Sequence, residues 1–412
     1  MAKKVLIIAY HYAPSNNGGV ARPVRLAKYL PRYGWEPIVL SCGEGDDLGP
    51  SGEKVLRAAE PFARRRVADA SPAGAGTGLL KRLLKKYVLV PDGKRFWLGP
   101  AVAAAESLIE SEKIDCIVST SPPETSHLVA GKLKSKFGVP WLADFRDGWT
   151  FEPPRNEFPA SRRRSARMQK MEARTLDRAD AVTSATLPIN QDFIARYPAR
   201  RERLHYLPNG FDPENERKDA PPSGEKKLRF LFTGRFSLSS EEITPEYLFE
   251  GLRIAASKEP ALADSCEFVL MGQFTDGEKA LANGLEGVVN WRPFADRSAA
   301  IALQHRATVN VLVTSRARKS VATGKVYEYL AARRPILALA EGNEAERIVR
   351  ETDSGLCVPP DDANRVSDAI LGLLKMWKEG DLESAFSFRG IDRFSYENIG
   401  RDFAAILNGV GA

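Results

Sequence analysis

The sequence predicts an α/β protein built from two doubly wound parallel sheets. Three observations carry this reading. The chain has 412 residues, too many for a single hydrophobic core. Short apolar runs alternate with amphipathic stretches, β then α, and the whole alternation occurs twice. A polar stretch over 209–227, holding Pro213, Pro221, Pro222 and Gly224, separates the two arrays. The expected division is a first domain over 1–212, a linker over 213–227, a second domain over 228–390 and a terminal segment over 391–412.

The first array opens with a strand at 5–9. The basic residues before it suit a signal peptide, but the apolar run is too short and ends at Tyr10-His11. A loop at 13–19, a helix at 20–30 and a strand at 36–41 follow. Helix 101–112, strand 116–120, helix 125–137 and strand 140–144 come next. A long helix at 160–178, strand 181–184, helix 187–197 and strand 204–207 complete the array. The second array reads as strand 229–232, helix 244–257, strands 267–271 and 288–291, helix 299–303 and strand 309–313. A helix from 324 to 332, a strand at 336–340 and helices at 345–351, 363–378 and 396–407 end the chain. In such sheets ligands lie beyond the carboxyl ends of the strands, here in a cleft between the domains.

Composition excludes several classes. Hydrophobic residues at 43% and charged residues at 27% are ordinary for a soluble protein. No apolar run approaches the ~20 residues that span a bilayer. Cys42, Cys116, Cys266 and Cys357 show no paired spacing, which points to a reducing, cytoplasmic compartment. The four histidines form no local metal pattern, so no metal is expected. Residues 61–100 carry nine bases against two acids, which equals the whole net charge of +7. Within them, 79–90 has the pattern of a basic amphipathic helix. Such a helix lies on an anionic membrane surface or packs its leucines into a core, and both readings stand. No nucleic-acid motif or interleaving of aromatics accompanies the basic run, so nucleic acid is not an expected partner.

The loops after the strands carry the chemistry. Thr323 is a plausible N-cap, and Gly324 lets the chain turn into the helix. Lys325 then sits in the first turn, where the helix dipole favours anions. A lysine beside free backbone N–H groups points to an external anion such as phosphate. Glu328 shares its face. Thr233-Gly234-Arg235 follows a strand directly and places a guanidinium suited to phosphate. In the first array, Gly18-Gly19 precede a helix carrying Arg22, and paired glycines let N–H groups approach a phosphate or simply make a turn. His127 falls early in the helix after strand 116–120, placed for a substrate hydroxyl or for its own helix cap. Asp144, Arg146 and Asp147, with Trp149, close another strand end, as substrate contacts or as a structural bridge.

Four segments together resemble the GT-B fold glycosyltransferases of the family 4 type: Gly18-Gly19, the run from Pro140 to Asp147, the run from Pro208 to Asp212, and the run from Lys325 to Ala332. The resemblance covers essentially the whole chain. It implies two Rossmann-like domains facing a central cleft, a terminal helix packing back on the first domain, and a nucleotide-diphosphate sugar as donor substrate with no further cofactor. Glu328 resembles the donor-ribose glutamate. Thr323 and Gly324 resemble the amides for donor diphosphate and sugar, Arg235 the diphosphate arginine, and His127 the sugar-contacting histidine. Arg22, Asp144, Arg146 and Asp147 fall on the acceptor side.

Two positions depart from the family pattern. Ser320 stands where a second donor glutamate is common, and 236–240 lack the usual lysine, whose charge Lys325 could supply. The resemblance implies metal-free sugar transfer with retention, the departing phosphate taking the acceptor's proton. It also implies a cytoplasmic enzyme working at the inner membrane face on a glycan or lipid-linked acceptor. A sugar-nucleotide epimerase of the same fold, or a degenerate binding module, are the rival readings.

Overall fold

Lys3–Ile8 alternates its side chains between two apolar layers, as a strand buried on both faces must. Leu6 and Ile8 face one layer, and Val5 and Ile7 the other. This is β1 in the computed structural model, which describes residues 2–15, 18–45, 47–61, 89–152, 161–216, 226–240 and 242–410. The expected amphipathic helix at 79–90 lies almost wholly outside the described residues.

The chain divides into two compact units. One comprises Met1–Asn209 with Tyr396–Ala412, the other Gly210–Ser395. In the first unit, β1 is followed by α1 (Ala21–Tyr29), β2 (Trp35–Cys42), β3 (Asp47–Leu48), β4 (Lys54–Ala58), α2 (Leu98–Ser111), β5 (Cys116–Ser121), α3 (Thr125–Phe137) and β6 (Trp141–Phe145). Then come α4 (Arg162–Arg178), β7 (Ala181–Ser184), α5 (Leu187–Arg196) and β8 (Leu204–Tyr206). The sheet order is β3-β4-β2-β1-β5-β6-β7-β8. Every pairing is parallel except β3 with β4. Strands β3 and β4 do not appear in the sequence reading, because they are short and only partly apolar.

The second unit runs β9 (Leu228–Gly234), α6 (Glu246–Lys258), α7 (Leu262–Ser265), β10 (Cys266–Gly272), α8 (Asp276–Ala280), β11 (Val289–Pro293), α9 (Arg297–Arg306) and β12 (Val309–Val313). It continues with α10 (Gly324–Ala332), β13 (Ile336–Leu339), α11 (Glu344–Thr352), β14 (Gly355–Val358) and α12 (Ala363–Glu379). The order β11-β10-β9-β12-β13-β14 is parallel throughout. β14 is also absent from the sequence reading, since Gly355 and the half-buried Leu356 and Cys357 lack a strand's apolar signature.

In each unit the strand order reverses at the first strand: β1 lies between β2 and β5, and β9 between β10 and β12. The carboxyl ends beside these reversals are where open α/β sheets bind ligands. Helix α13 (Tyr396–Val410) buries Tyr396, Ile399, Gly400, Phe403, Ala404 and Leu407. That helical stripe joins the apolar layer holding Val5, Ile7 and Leu26 of the first unit.

Candidate active site

In the second unit, the carboxyl end of β9 meets the amino end of α10. Gly234 has φ +121, a region that excludes most side chains. A Cβ there would stand 2.5 Å from Lys325 Nζ. The glycine therefore makes room for the lysine from the first turn of α10. Nζ lies 4.5 Å from the centroid of the Phe232 ring. Among the described residues no carboxylate reaches ion-pair distance of it. Burial pushes its pKa down to about 8, against the opposing pull of Glu328. Such a lysine is poised to gain an anion. The next residue along β9's exit is Arg235, exposed and without an ion pair among the described residues.

Thr323 occupies the N-cap position of α10, but its side chain makes no capping bond. Its hydroxyl is buried without a partner. The expected cap is thus replaced by an orphan hydroxyl beside the free N–H groups of the helix start. Gly324 is exposed, and a Cβ there would meet open space. The preceding loop is tethered, since Glu344 N donates to Lys319 O (2.9 Å) and Ala345 N to Val321 O (3.0 Å). This places the half-buried Ser320 beside α11.

Glu328 pairs with Arg297 of α9 rather than with Lys325. Arg297 Nη2 donates to Oε1 at 2.7 Å. Gln304, 1% exposed, donates to Oε2 at 3.3 Å and to Thr233 Oγ1 at 3.0 Å. Arg297 and Gln304 were not legible as site residues. Contacts between α9 and α10 come from the sheet order, not from any sequence spacing.

In the first unit, Arg22 and Asp144 form a buried ion pair. Arg22 is 2% exposed and Asp144 0%. Nε lies 3.0 Å from Oδ2, and Nη2 2.8 Å from Oδ1. The remaining guanidinium N–H groups reach Pro208 O (2.8 Å), Asn209 Oδ1 (3.3 Å) and Leu207 O (3.1 Å). Asp144 also accepts from Thr120 and Thr183. Burial raises the cost of its charge, but Arg22 and these hydroxyls outweigh it and hold the carboxyl below its ordinary range. The pair forms a buried bridge that ties α1 to the sheet.

Arg146 is also engaged within the unit. Nε donates to Ser121 O at 3.0 Å, and the two terminal nitrogens to Gly19 O and Pro122 O. A Cβ on Gly19 would come 2.7 Å from Nη1. Gly19 therefore admits the arginine that pins its loop. Gly18 is exposed, and the described residues leave nothing within 4 Å of a Cβ there. Asp147 is half-buried.

His127 sits in an aromatic box, 1% exposed, with ring centroids of Phe145 at 4.4 Å and Trp149 at 6.1 Å. Nδ1 shares a hydrogen bond with Ser119 Oγ at 2.7 Å, and Trp141 Nε1 donates to the same oxygen at 2.8 Å. A helix cap does not satisfy it. Burial, with Arg146 adding to it, pushes the imidazole down to about 3, so it is neutral at physiological pH. Nε2 has no partner.

One acidic group was missed. Glu124 stands just before α3, 8% exposed. Burial, Asp92 and Asp147 push its carboxyl up to about 8. Asp92 caps α3 instead, accepting from Thr125 N at 2.7 Å. The clue was an acid directly after Pro122-Pro123 at a helix start, but Asp92 comes from a segment 32 residues earlier.

Residues 17–210 match the family Glycosyl transferase 4-like domain, and residues 227–376 match Glycosyl transferases group 1. The chain belongs to the family 4 type of GT-B glycosyltransferases. Solved glycosyltransferase structures share its fold. Sucrose-phosphate synthase from Thermosynechococcus elongatus superposes with TM-score 0.64 at 16% identity, covering 99% of this chain and 98% of that one. HepE from Anabaena, in complex with UDP, gives 0.65 at 16%, covering 99% and 100%. WaaG, a glycosyltransferase involved in lipopolysaccharide biosynthesis, gives 0.60 at 14%, covering 98% and 100%. A search of curated proteins finds no sequence match.

Proposed function

We propose that this glycosyltransferase moves a hexosyl group from a nucleoside-diphosphate sugar to a glycan or lipid-linked acceptor, with retention and without a metal. The carrying observation is Lys325, a half-buried ammonium with no carboxylate in ion-pair reach among the described residues, at the start of α10 beside Gly234 and Arg235. Arg235, Lys325 and the N–H groups of Thr323 and Gly324 receive the donor's diphosphate. They stabilise the charge that grows on it as the glycosidic bond breaks. The orphan Thr323 hydroxyl supplies a further hydrogen bond. Glu328 holds the ribose hydroxyls. His127 offers its one unpaired nitrogen, Nε2, to a sugar hydroxyl. Ser320 stands at the sugar-orienting position with a hydroxyl in place of a carboxylate. The leaving phosphate accepts the acceptor's proton, so no protein nucleophile is needed.

The UDP complex of HepE supports a uridine nucleotide, and the role printed for WaaG supports an envelope glycan as acceptor. We place the enzyme in the cytoplasm at the inner membrane face. No helix of the described residues is long and apolar enough to cross a membrane. The test is a thermal-shift screen of uridine, guanosine and adenosine diphosphate sugars, then product anomer analysis by NMR in chelator. Product of inverted configuration would overturn retention. Turnover of donor alone to an epimer would favour the epimerase, and absence of any nucleotide binding the degenerate module.

A further inference from the structure

We infer that Arg297 is a positioning residue for nucleotide recognition, setting the Glu328 carboxylate for two ribose hydroxyls. The inference rests on the ribose role proposed for Glu328.

Each oxygen of Glu328 receives one donor: Oε1 takes Arg297 Nη2 at 2.7 Å, and Oε2 takes Gln304 Nε2 at 3.3 Å. An ionised carboxylate offers about four acceptor positions. Two therefore remain, one on each oxygen, as a vicinal diol requires. Gln304 is itself anchored, because the same Nε2 donates to Thr233 Oγ1 at 3.0 Å from the end of β9. The carboxylate is thus braced on both sides, by a buried amide from within and by an arginine from the solvent side, 54% exposed. As a stability element an exposed bridge of this kind is worth little. Its value lies in orientation: a braced carboxylate does not have to be ordered when ligand arrives. Arg297 is the second residue of a capped start, since Asp296 Oδ1 accepts from Ala299 N at 2.8 Å, so its backbone is held too.

The test compares nucleoside diphosphates with their 2′-deoxy counterparts by calorimetry, using whichever of UDP, GDP or ADP binds. Wild type should prefer the ribonucleotide by about tenfold or more, the worth of one charge-assisted hydrogen bond. Arg297→Gln should cut that preference to about threefold or less, with melting temperature unchanged, and Arg297→Lys should restore most of it. If Glu328→Gln abolishes the preference while Arg297→Gln keeps it in full, Arg297 is only a surface bridge and the inference fails alone. Tighter ribonucleotide binding by Arg297→Gln would make the arginine a competitor and would also overturn it. A wild type that binds none of the three, or does not distinguish ribose from deoxyribose, overturns the ribose reading together with the inference.

Discussion

Lys325 gives the sharpest test of the donor site, because its charge is poised near neutrality. With a pKa of about 8, the side chain is roughly nine-tenths protonated at pH 7 and roughly one-tenth at pH 9. If its ammonium meets the diphosphate, affinity follows the protonated fraction. A bound anion raises the pKa again, so the complex takes up a proton near and above pH 8, and affinity falls as pH rises. Between pH 7 and 9 the loss should be roughly tenfold, or about 1.4 kcal/mol. In Lys325→Met this pH-dependent part should vanish, and binding at pH 7 should weaken by about 1.5–3 kcal/mol, the worth of a hydrogen bond to a charged group. Transfer rate should drop further, by about 2–4 kcal/mol, because the diphosphate's charge grows as the bond breaks. Calorimetry with UDP between about pH 6.5 and 9.5, in buffers of different ionisation enthalpy, reads both affinity and proton uptake. Parallel pH profiles for wild type and Lys325→Met, or equal proton uptake, would refute the assignment.

Three further outcomes follow from the first unit and its sequence. Asp144→Ala orphans the buried Arg22 and should cost about 3–5 kcal/mol in urea unfolding, whereas a change under about 1 kcal/mol would contradict the bridge. Glu124 has a folded pKa of about 8 against an ordinary 4.5, so stability should decline as pH rises through that window. Glu124→Gln should flatten the decline, and an unchanged slope would show that another group causes it. Finally, the chain should sediment with anionic vesicles at low salt and be released at high salt. Replacing Lys81, Arg82, Lys85 and Lys86 with glutamine should remove about 1 kcal/mol per base, and equal binding to neutral vesicles would reject the membrane reading.

Much of the architecture was legible because it rests on local signals. Buried parallel strands such as β1 and β13 carry continuous apolar runs, Val5 to Ile8 and Ile336 to Leu339, and helices such as α12 and α13 repeat their apolar faces every three to four residues. β3, β4 and β14 were not legible, since their pairing comes from neighbours rather than from their own side chains. The position of Lys325 in the first turn of α10 could likewise be read from a short stretch of chain.

Which groups are free and which are satisfied was decided only by the tertiary structure. Arg22, Asp144 and Arg146 look in sequence like the same chemistry as Arg235: charged residues in loops and helices near strand ends. Folding brings Arg22 and Asp144, 122 residues apart, into one buried bridge, and sets Arg146 against three carbonyls. It leaves Lys325 with no carboxylate in ion-pair reach among the described residues, and gives Glu328 to Arg297, 31 residues before it. The physical reason is that ion pairing and desolvation depend on distances of a few ångströms across the sheet, and the order of strands in a doubly wound sheet, not spacing along the chain, sets those distances.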